Sequence, residues 1–284
     1  MEEQLNSKEI TLKIKITPVR LFLGGFMSAI IIIALPVGLL AYYRGAKATA
    51  GAAAYNPPAA QQPTAQQPAQ PTGPGVTMGT IRALFDGRHI ALGDKNEKLI
   101  FVEISDPSCP YCQIAGGKNP PLNKQAGSQF TLSADGGNYV APVPEMRKLL
   151  EQGKAAFVWI YANGHGSGEM GAKALYCANE KGKFWQVNDL LMSATGYDLM
   201  NNTIKNDKTK SADLANFLKS AIDYNFMKGC LESGKYDSKL ADDMSLASSQ
   251  FGFGGTPDFF VNTTNFEGAV PFSAMQSAVD AALK

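Results

Sequence analysis

The sequence predicts an α/β domain that follows one membrane-spanning segment and a polar linker. Three features predict this class: an apolar run ending at a Cys-x-x-Cys motif, a Thr-Pro step before a second apolar run, and helical periodicity over most of the chain between them. The chain has 284 residues, of which 45% are hydrophobic and 18% charged, so it holds enough apolar material for one full core with appendages. Its formal net charge of +1 gives no reason to expect a nucleic-acid partner.

The N-terminal part of the chain has the composition of a membrane anchor. Residues 1–20 are polar and mixed in charge, whereas residues 21–43 carry no charge at all. A helix over that run, at about 1.5 Å per residue, is roughly 35 Å long and crosses a bilayer core of about 30 Å. More basic residues precede the run than follow it closely, which places residues 1–20 in the cytoplasm and the rest outside. A cleaved signal peptide is the alternative, although the run exceeds the usual apolar region of about 7–15 residues.

A linker of Ala, Gln, Pro and Gly follows the anchor over residues 44–76. With almost no bulky apolar side chains, it cannot bury enough surface to order itself, so we expect a disordered tether. The globular domain is therefore predicted to span residues 77–284.

The predicted elements of that domain alternate between strands and helices. The first half is predicted to contain a helix at 77–85, strands at 89–92 and 99–104, a helix at 144–151 and a strand at 155–161. Residues 116–144, rich in Gly, Pro, Asn and Ser, are expected to be irregular, and such a segment either shapes a groove beside the motif or has no further role. A helical insertion at about 165–250 comes next, with helices at 170–181, 184–193, 213–222, 226–233 and 238–249. Strands at 258–262 and 266–270 and a helix at 273–283 close the domain.

The strand at 99–104 leads directly to the motif Cys109-Pro110-Tyr111-Cys112. If a helix begins at Cys109, its free N–H groups and its dipole favour a thiolate there. Proline suits the first turn, and Cys112 lies one turn further on, within reach of a mixed disulfide formed at Cys109. Half of a zinc site is one alternative, but a structural zinc needs about four ligands. A purely structural disulfide is the other, although so small a loop constrains the unfolded chain little.

Glu103 interrupts the apolar strand before the motif. A buried carboxylate is costly unless it has a partner or a task, and beside a thiol pair it can carry a proton to or from Cys112. The alternative is that strand alternation points Glu103 to solvent.

Thr256-Pro257 precedes the apolar strand near the C-terminus. A proline there belongs at the start of a strand, and tight turns of this kind favour a cis peptide bond. A cis bond would expose the backbone of Thr256 for pairing with an extended substrate.

With these stretches together, the sequence resembles the DsbA-like thiol:disulfide oxidoreductases of the thioredoxin superfamily, in a membrane-anchored form. The matching residues are 101–106, 109–112, 174–185 and 255–262, and the resemblance covers about residues 90–284. It implies a thioredoxin-like fold with an inserted helical domain and thiol–disulfide exchange on extracytoplasmic proteins. It also implies that Cys109 reacts and Cys112 resolves, that no metal or organic cofactor is needed, and that a membrane redox partner recycles the pair.

The resemblance also bears on two remaining points. Some relatives carry a second cysteine pair in the helical domain, and in an oxidising compartment Cys177 and Cys230 are expected to form a structural disulfide; two separately buried thiols are the alternative. The oxidase archetype has histidine where this chain has Tyr111. The resemblance implies disulfide bond formation, but tyrosine brings no positive charge to the thiolate, so we expect a weaker oxidant, with a reductase or isomerase as the alternative. A membrane-tethered binding or chaperone module with a non-catalytic disulfide is an alternative of another class.

Overall fold

The computed structural model describes residues 75–284. The predicted anchor at 21–43 and nearly all of the predicted linker lie outside these residues. Within them, no helix is both long enough and apolar enough to cross a bilayer.

The described residues form a five-stranded sheet with helices on both faces. The strands are β1 (Ile90–Leu92), β2 (Ile100–Ser105), β3 (Ala156–Tyr161), β4 (Asp258–Val261) and β5 (Thr264–Glu267). The α-helices are α1 (Met78–Ala83), α2 (Pro110–Gly116), α3 (Pro120–Gln125), α4 (Pro142–Glu151), α5 (Glu169–Asn179), α6 (Phe184–Leu191), α7 (Ala194–Asp198), α8 (Ser211–Leu218), α9 (Tyr224–Ser233), α10 (Asp237–Gln250) and α11 (Phe272–Leu283). A π-helix at Leu199–Ile204 continues α7, and 3-10 turns lie at Ser128–Phe130, Ser133–Asp135 and Lys208–Lys210.

The strand order is β1-β3-β2-β4-β5, with β2 and β3 parallel and the other pairs antiparallel. All residues of β2 and β3 are buried, as expected for central strands covered on both faces. The helical insertion leaves the sheet after β3 and returns at β4. This is the predicted α/β architecture with a helical insertion, and it is confirmed.

Strand alternation divides the core into two layers. Phe101 and Trp159 lie in the larger layer, between the sheet and the insertion, while Val102 and Val158 face the layer under α1 and α10. Because Glu103 is two residues from Phe101, its side chain lies on the face of the insertion.

The segment after the motif is more ordered than its composition indicates. The expectation of an irregular stretch at 116–144 was wrong, because it contains α3, two 3-10 turns and the first residues of α4. The Asn119 side chain caps α3 by accepting from the N–H of Leu122 at 3.3 Å. The buried amide of Asn123 then donates to the carbonyls of Ile114 and Phe130. Hydrogen bonds from local polar side chains therefore stabilise this segment, which has no apolar repeat.

The insertion is attached to the sheet through buried Asp243 on α10. Its carboxylate accepts from the backbone N–H of Tyr161 in β3 at 3.2 Å, from the hydroxyl of Tyr176 at 2.5 Å and from the ammonium group of Lys239. The side chain of His89 is only 11% exposed, because its ring lies between the carboxylate of Asp86, at 3.0 Å, and that of Asp243, at 4.0 Å. The polar contacts thus join three separate parts of the chain.

A disulfide joins α5 and α9. Cys177 and Cys230 are bonded, with a Cα–Cα distance of 6.1 Å and a sequence separation of 53. The prediction of a second disulfide within the insertion is confirmed.

Candidate active site

Cys109 occupies the N-cap of α2, as the motif predicts, and Pro110 stands at its first position. Both Cys109 and Cys112 are free thiols. The Cys109 thiol donates to the Thr256 carbonyl at 3.4 Å, and Cys112 Sγ accepts from the backbone N–H of Asp106 at 3.4 Å. Its position at the start of the helix predicts that Cys109 is a solvent-accessible thiol, but this was wrong: the residue is only 4% exposed, and the Thr256 carbonyl lies against its sulfur.

The two thiols differ strongly in acidity. A hydrogen bond from Cys112, together with the backbone N–H groups of Tyr111 and Cys112, lowers the pKa of Cys109 to about 6, against the opposing effect of burial. Burial, followed by the neighbouring Cys109, raises the pKa of Cys112 well above its ordinary value. The N-terminal sulfur is therefore the one that ionises near neutral pH, and the second stays protonated.

Glu103 is buried on the inner face of β2, so the alternative of a solvent-facing carboxylate is excluded. It is 3% exposed, and burial raises its pKa to about 7. Ser105 lies two residues further along the same face, close enough that its hydroxyl favours the charged forms of both Glu103 and Cys112. The sequence did not lead us to predict a role for Ser105, although the residue lies between Glu103 and the motif. The three polar groups follow one face of the strand toward the motif.

The Thr256–Pro257 peptide bond is cis and faces the motif through the contact between Thr256 and Cys109. Gly164, in the loop after β3, lies directly against Thr256. A Cβ on Gly164 would lie 1.7 Å from Thr256 Oγ1, so this position requires glycine. The loop after β3 therefore packs directly against the cis-proline turn.

Buried Asp106 fixes the turn between β2 and Cys109, a role that sequence reasoning missed. One carboxylate oxygen accepts from the N–H and the hydroxyl of Ser108, at 2.8 and 2.7 Å. The other accepts from the N–H groups of Gly164 and His165, at 2.9 and 2.8 Å. Four donors compensate the loss of water around this carboxylate, which joins the motif to the β3 loop.

Gln113 attaches α2 to the insertion. Its side-chain amide donates to the carbonyl of Pro107 and to that of Leu191 at the end of α6, both at 3.0 Å. Because Gln113 is fully buried, these contacts fix the active-site helix against the helical domain. A polar residue directly after the second cysteine was the only sequence signal for this role.

Aromatic side chains lie beside the reactive thiol. Tyr111 is 50% exposed, and its ring meets the edge of Phe130 at 6.0 Å. Phe130 in turn packs edge-on against buried Tyr139 at 5.7 Å. The segment after α3 therefore supports the exposed face of the motif.

Asp258 follows the cis proline and is also buried. Burial raises its pKa to about 7, and the charge of Glu267 on β5 adds to the increase. Strand alternation places Asp258 opposite Ile104, on the face of the sheet away from Glu103.

A cluster of possible metal ligands within residues 75–284 lies away from the motif. Cys177, Glu180 and Cys230 bring ligand atoms within 4.8 Å of one another, but the two sulfurs are joined in the disulfide.

Comparison with known proteins supports the fold. A thioredoxin family model matches residues 144–281. Oxidised BdbD from Bacillus subtilis superposes with a TM-score of 0.52 and 17% identity, over 69% of this chain and 94% of that structure. Wolbachia pipientis alpha-DsbA1 gives a TM-score of 0.51 and 17% identity, over 69% of this chain and 90% of its own.

The curated relatives are larger proteins. The chain is 25% identical over 192 residues to Na(+)/H(+) antiporter NhaA 3 of Salinispora tropica, and 24% identical over 216 residues to NhaA 1 of Salinispora arenicola. These matches cover 66% and 73% of this chain but only 24% and 27% of the relatives, so the chain spans about a quarter of their length. The fold, the family-model match and the solved structures agree: the described residues form a thioredoxin-like domain with a helical insertion.

Proposed function

We propose that the protein is a thiol:disulfide oxidoreductase of the DsbA type that acts on cysteine-containing proteins or peptides outside the cytoplasm. The observation that carries this proposal is the asymmetry of the thiol pair. Cys109 has a pKa of about 6 at a helix N-terminus, while that of buried Cys112 is raised. Such a pair has one sulfur suited to attack and departure and one suited to resolution.

In the oxidase direction, the starting state is the Cys109–Cys112 disulfide. A substrate thiolate attacks Cys109 Sγ; a new S–S bond forms to the substrate, and the Cys109–Cys112 bond breaks with its electron pair moving to Cys112. A second substrate thiolate then attacks the first substrate sulfur and displaces Cys109 as a thiolate. Two electrons pass from the substrate to the pair, and the substrate gains a disulfide.

Glu103 supplies the proton that Cys112 needs. With a pKa of about 7, Glu103 is present in both forms near neutral pH, so it can donate a proton to the leaving Cys112 and recover it later. Ser105 follows Glu103 on the same face of β2, on the side of the motif. No metal or organic cofactor takes part in these steps.

The substrate is expected to pair with the backbone of Thr256. The Thr256 carbonyl lies 3.4 Å from Cys109 Sγ, so an extended peptide bonded to Thr256 carries its own sulfur close to that of Cys109. Tyr111, half exposed beside this position, provides an apolar contact for a neighbouring substrate side chain.

A reductase or isomerase is the second candidate, and Tyr111 is the observation that favours it. A neutral tyrosine between the cysteines stabilises the thiolate less than a cation does, which makes the pair a weaker oxidant.

We further propose that residues 21–43 anchor the domain in a bilayer, with the N-terminus in the cytoplasm and the domain outside. Residues 44–76 then act as a tether that lets the domain search for substrates. A membrane redox partner recycles the pair, and nucleic acid is not a partner.

The test combines activity with a reduction potential. The oxidised protein should oxidise a fluorescent peptide with two cysteines, and a Cys109→Ser variant should be inactive. A double Cys109→Ser, Cys112→Ser variant that keeps the protein's activity would show a binding or chaperone module instead. Equilibration with glutathione measures the reduction potential of the Cys109–Cys112 pair, which distinguishes oxidase from reductase. A potential of about −120 mV indicates an oxidase, and one of about −270 mV indicates a reductase.

A further inference from the structure

The helical insertion reaches into the active-site turn through one side chain, Asn201. Its amide group donates to the Ser108 carbonyl at 3.1 Å and to the Tyr197 carbonyl at 3.0 Å. Ser108 is fully buried and directly precedes Cys109. One amide therefore joins the insertion to the residue that leads into the reactive cysteine.

Ser108 is held at each of its polar groups. Its N–H and hydroxyl both donate to Asp106, and its hydroxyl also accepts from the N–H of Ser167 at 3.2 Å. The remaining polar group is the carbonyl, for which Asn201 is the donor. A buried carbonyl that loses its donor destabilises the folded state, so this contact restrains the Ser108–Cys109 peptide.

The backbone that carries Asn201 is unusual. It belongs to the π-helix at Leu199–Ile204, and two non-glycine residues with positive φ follow, Lys205 at 44° and Asn206 at 63°. Both features are costly and are retained mainly at functional sites. Asn206 donates to the carbonyl of Gly166, so this strained segment also contacts the loop after β3.

The part of the insertion just before the π-helix lies close to the reactive sulfur. Burial, and after it the charge of Cys109, raise the pKa of Tyr197, so α7 lies within the electrostatic reach of the thiolate. Asn201 bonds to the carbonyl of this same tyrosine. Asn201 therefore joins the residue before Cys109 to a tyrosine that the Cys109 charge reaches.

We propose that Asn201 is a positioning residue for Cys109: by holding the Ser108 carbonyl, it keeps the Cys109 sulfur at the N-terminus of α2. This deepens the proposed function, on which it rests only in taking Cys109 as the reactive thiol. Without Asn201, the Ser108–Cys109 peptide gains freedom, and the sulfur is less well aligned with the N–H groups of Tyr111 and Cys112. The thiolate should then form at higher pH.

The test is the pH profile of alkylation of the reduced protein by iodoacetamide, with the modified cysteine identified by mass spectrometry. In Asn201→Ala, alkylation of Cys109 at pH 6 should slow about fivefold while the rate at pH 9.5 is unchanged, because only the thiolate reacts. Asn201→Leu, which keeps nearly the same size, loses the donor and adds no charge, should shift the profile in the same direction. Asn202→Ala is the matched control, because Asn202 lies in the same π-helix and, among residues 75–284, its exposed side chain bonds only to Asp198.

A folded Asn201→Ala protein with the wild-type profile would overturn the proposal, as would an equal shift in Asn202→Ala. If the Asn201 variants do not fold, amide NMR of the wild-type protein decides the matter. Contacts between the Asn201 side-chain amide protons and the Ser108–Cys109 backbone support the role, and their absence overturns it. Peptide oxidation is measured in parallel: no exchange by the wild-type protein refutes the proposed function, whereas the alkylation profile alone tests Asn201.

Discussion

Replacing Glu103 by glutamine should make the folded protein more stable at alkaline pH while slowing its chemistry. Glutamine has nearly the same shape as glutamate but cannot ionise or transfer a proton. Because Glu103 is buried on the inner face of β2, the substitution removes a charge that the folded state accommodates poorly.

The magnitude follows from the pKa of Glu103, which burial raises from 4.5 to about 7. Below pH 4.5 the carboxyl group is neutral in both the folded and the unfolded chain, so it has no effect on stability. Between pH 4.5 and about 7 the unfolded chain is ionised while the folded chain still holds its proton, so the folded state loses stability across this range and little more above it. At about 1.4 kcal/mol for each pKa unit, the loss reaches about 3 kcal/mol by pH 8.

The assay is urea unfolding of the reduced wild-type and Glu103→Gln proteins at pH 4 and pH 8. The difference in the free energy of unfolding between the two proteins should grow by about 3 kcal/mol in favour of the variant across this range. Asp258 and Cys109 titrate in both proteins, so their contributions cancel in the comparison. Peptide oxidation by the variant at pH 7 should fall roughly tenfold or more, because Cys112 loses its proton donor.

Glu97→Gln is the control, since Glu97 precedes β2, is partly exposed and forms no ion pair with any residue in the part of the chain that the structure describes. It should change neither the pH dependence nor the rate. A Glu103→Gln protein whose stability advantage is the same at pH 4 and pH 8 would refute the argument from burial. An unchanged exchange rate would refute the proton-transfer role.

Three further predictions concern the cysteines and Tyr111. Alkylation of the reduced protein at pH 6 should modify Cys109 and spare Cys112, because only the former is substantially ionised there; preferential labelling of Cys112 would reverse the assigned roles. Tyr111→His should make the reduction potential less negative, because a cation beside the thiolate stabilises the reduced form, and glutathione equilibration that shows no change would contradict this. Replacing Cys177 and Cys230 with serine should destabilise the domain by about 4 kcal/mol in urea unfolding, the loop-closure value for a separation of 53 residues. Exchange activity should persist at temperatures where that variant is folded.

The sequence predicts the fold well where an apolar run lies next to a recognisable motif or a proline. β3 is a continuous apolar run, β2 is an apolar run interrupted by Glu103, and a Cys-x-x-Cys motif or a proline lies close to the end or the start of a neighbouring element. The segment after the motif was mispredicted because its helix depends on Asn119 and Asn123, whose contacts are individual hydrogen bonds with no periodic pattern. The π-helix escaped prediction for the same reason, since no hydrophobic repeat distinguishes it from an α-helix.

The residues of the candidate site likewise fall into a group that the sequence predicts and a group that it does not. Cys109 and Glu103 have reactive or ionisable side chains, so the sequence alone identifies them as candidate site residues. Asp106 and Asn201 act by touching backbone atoms of residues that the fold brings near them. Asn201 lies 93 positions from its partner Ser108, and no local pattern records such a contact.

In the reduced protein, the Cys109 thiol competes with a substrate for the Thr256 carbonyl. The carbonyl that would receive a substrate N–H is occupied by the proton of the reactive thiol itself. Loss of that proton frees the acceptor, so ionisation and docking favour each other, and linkage requires the effect to be reciprocal. A peptide lying along Thr256 must therefore make Cys109 more acidic than it is in the free protein, and the thiol becomes most reactive when a substrate is there to meet it.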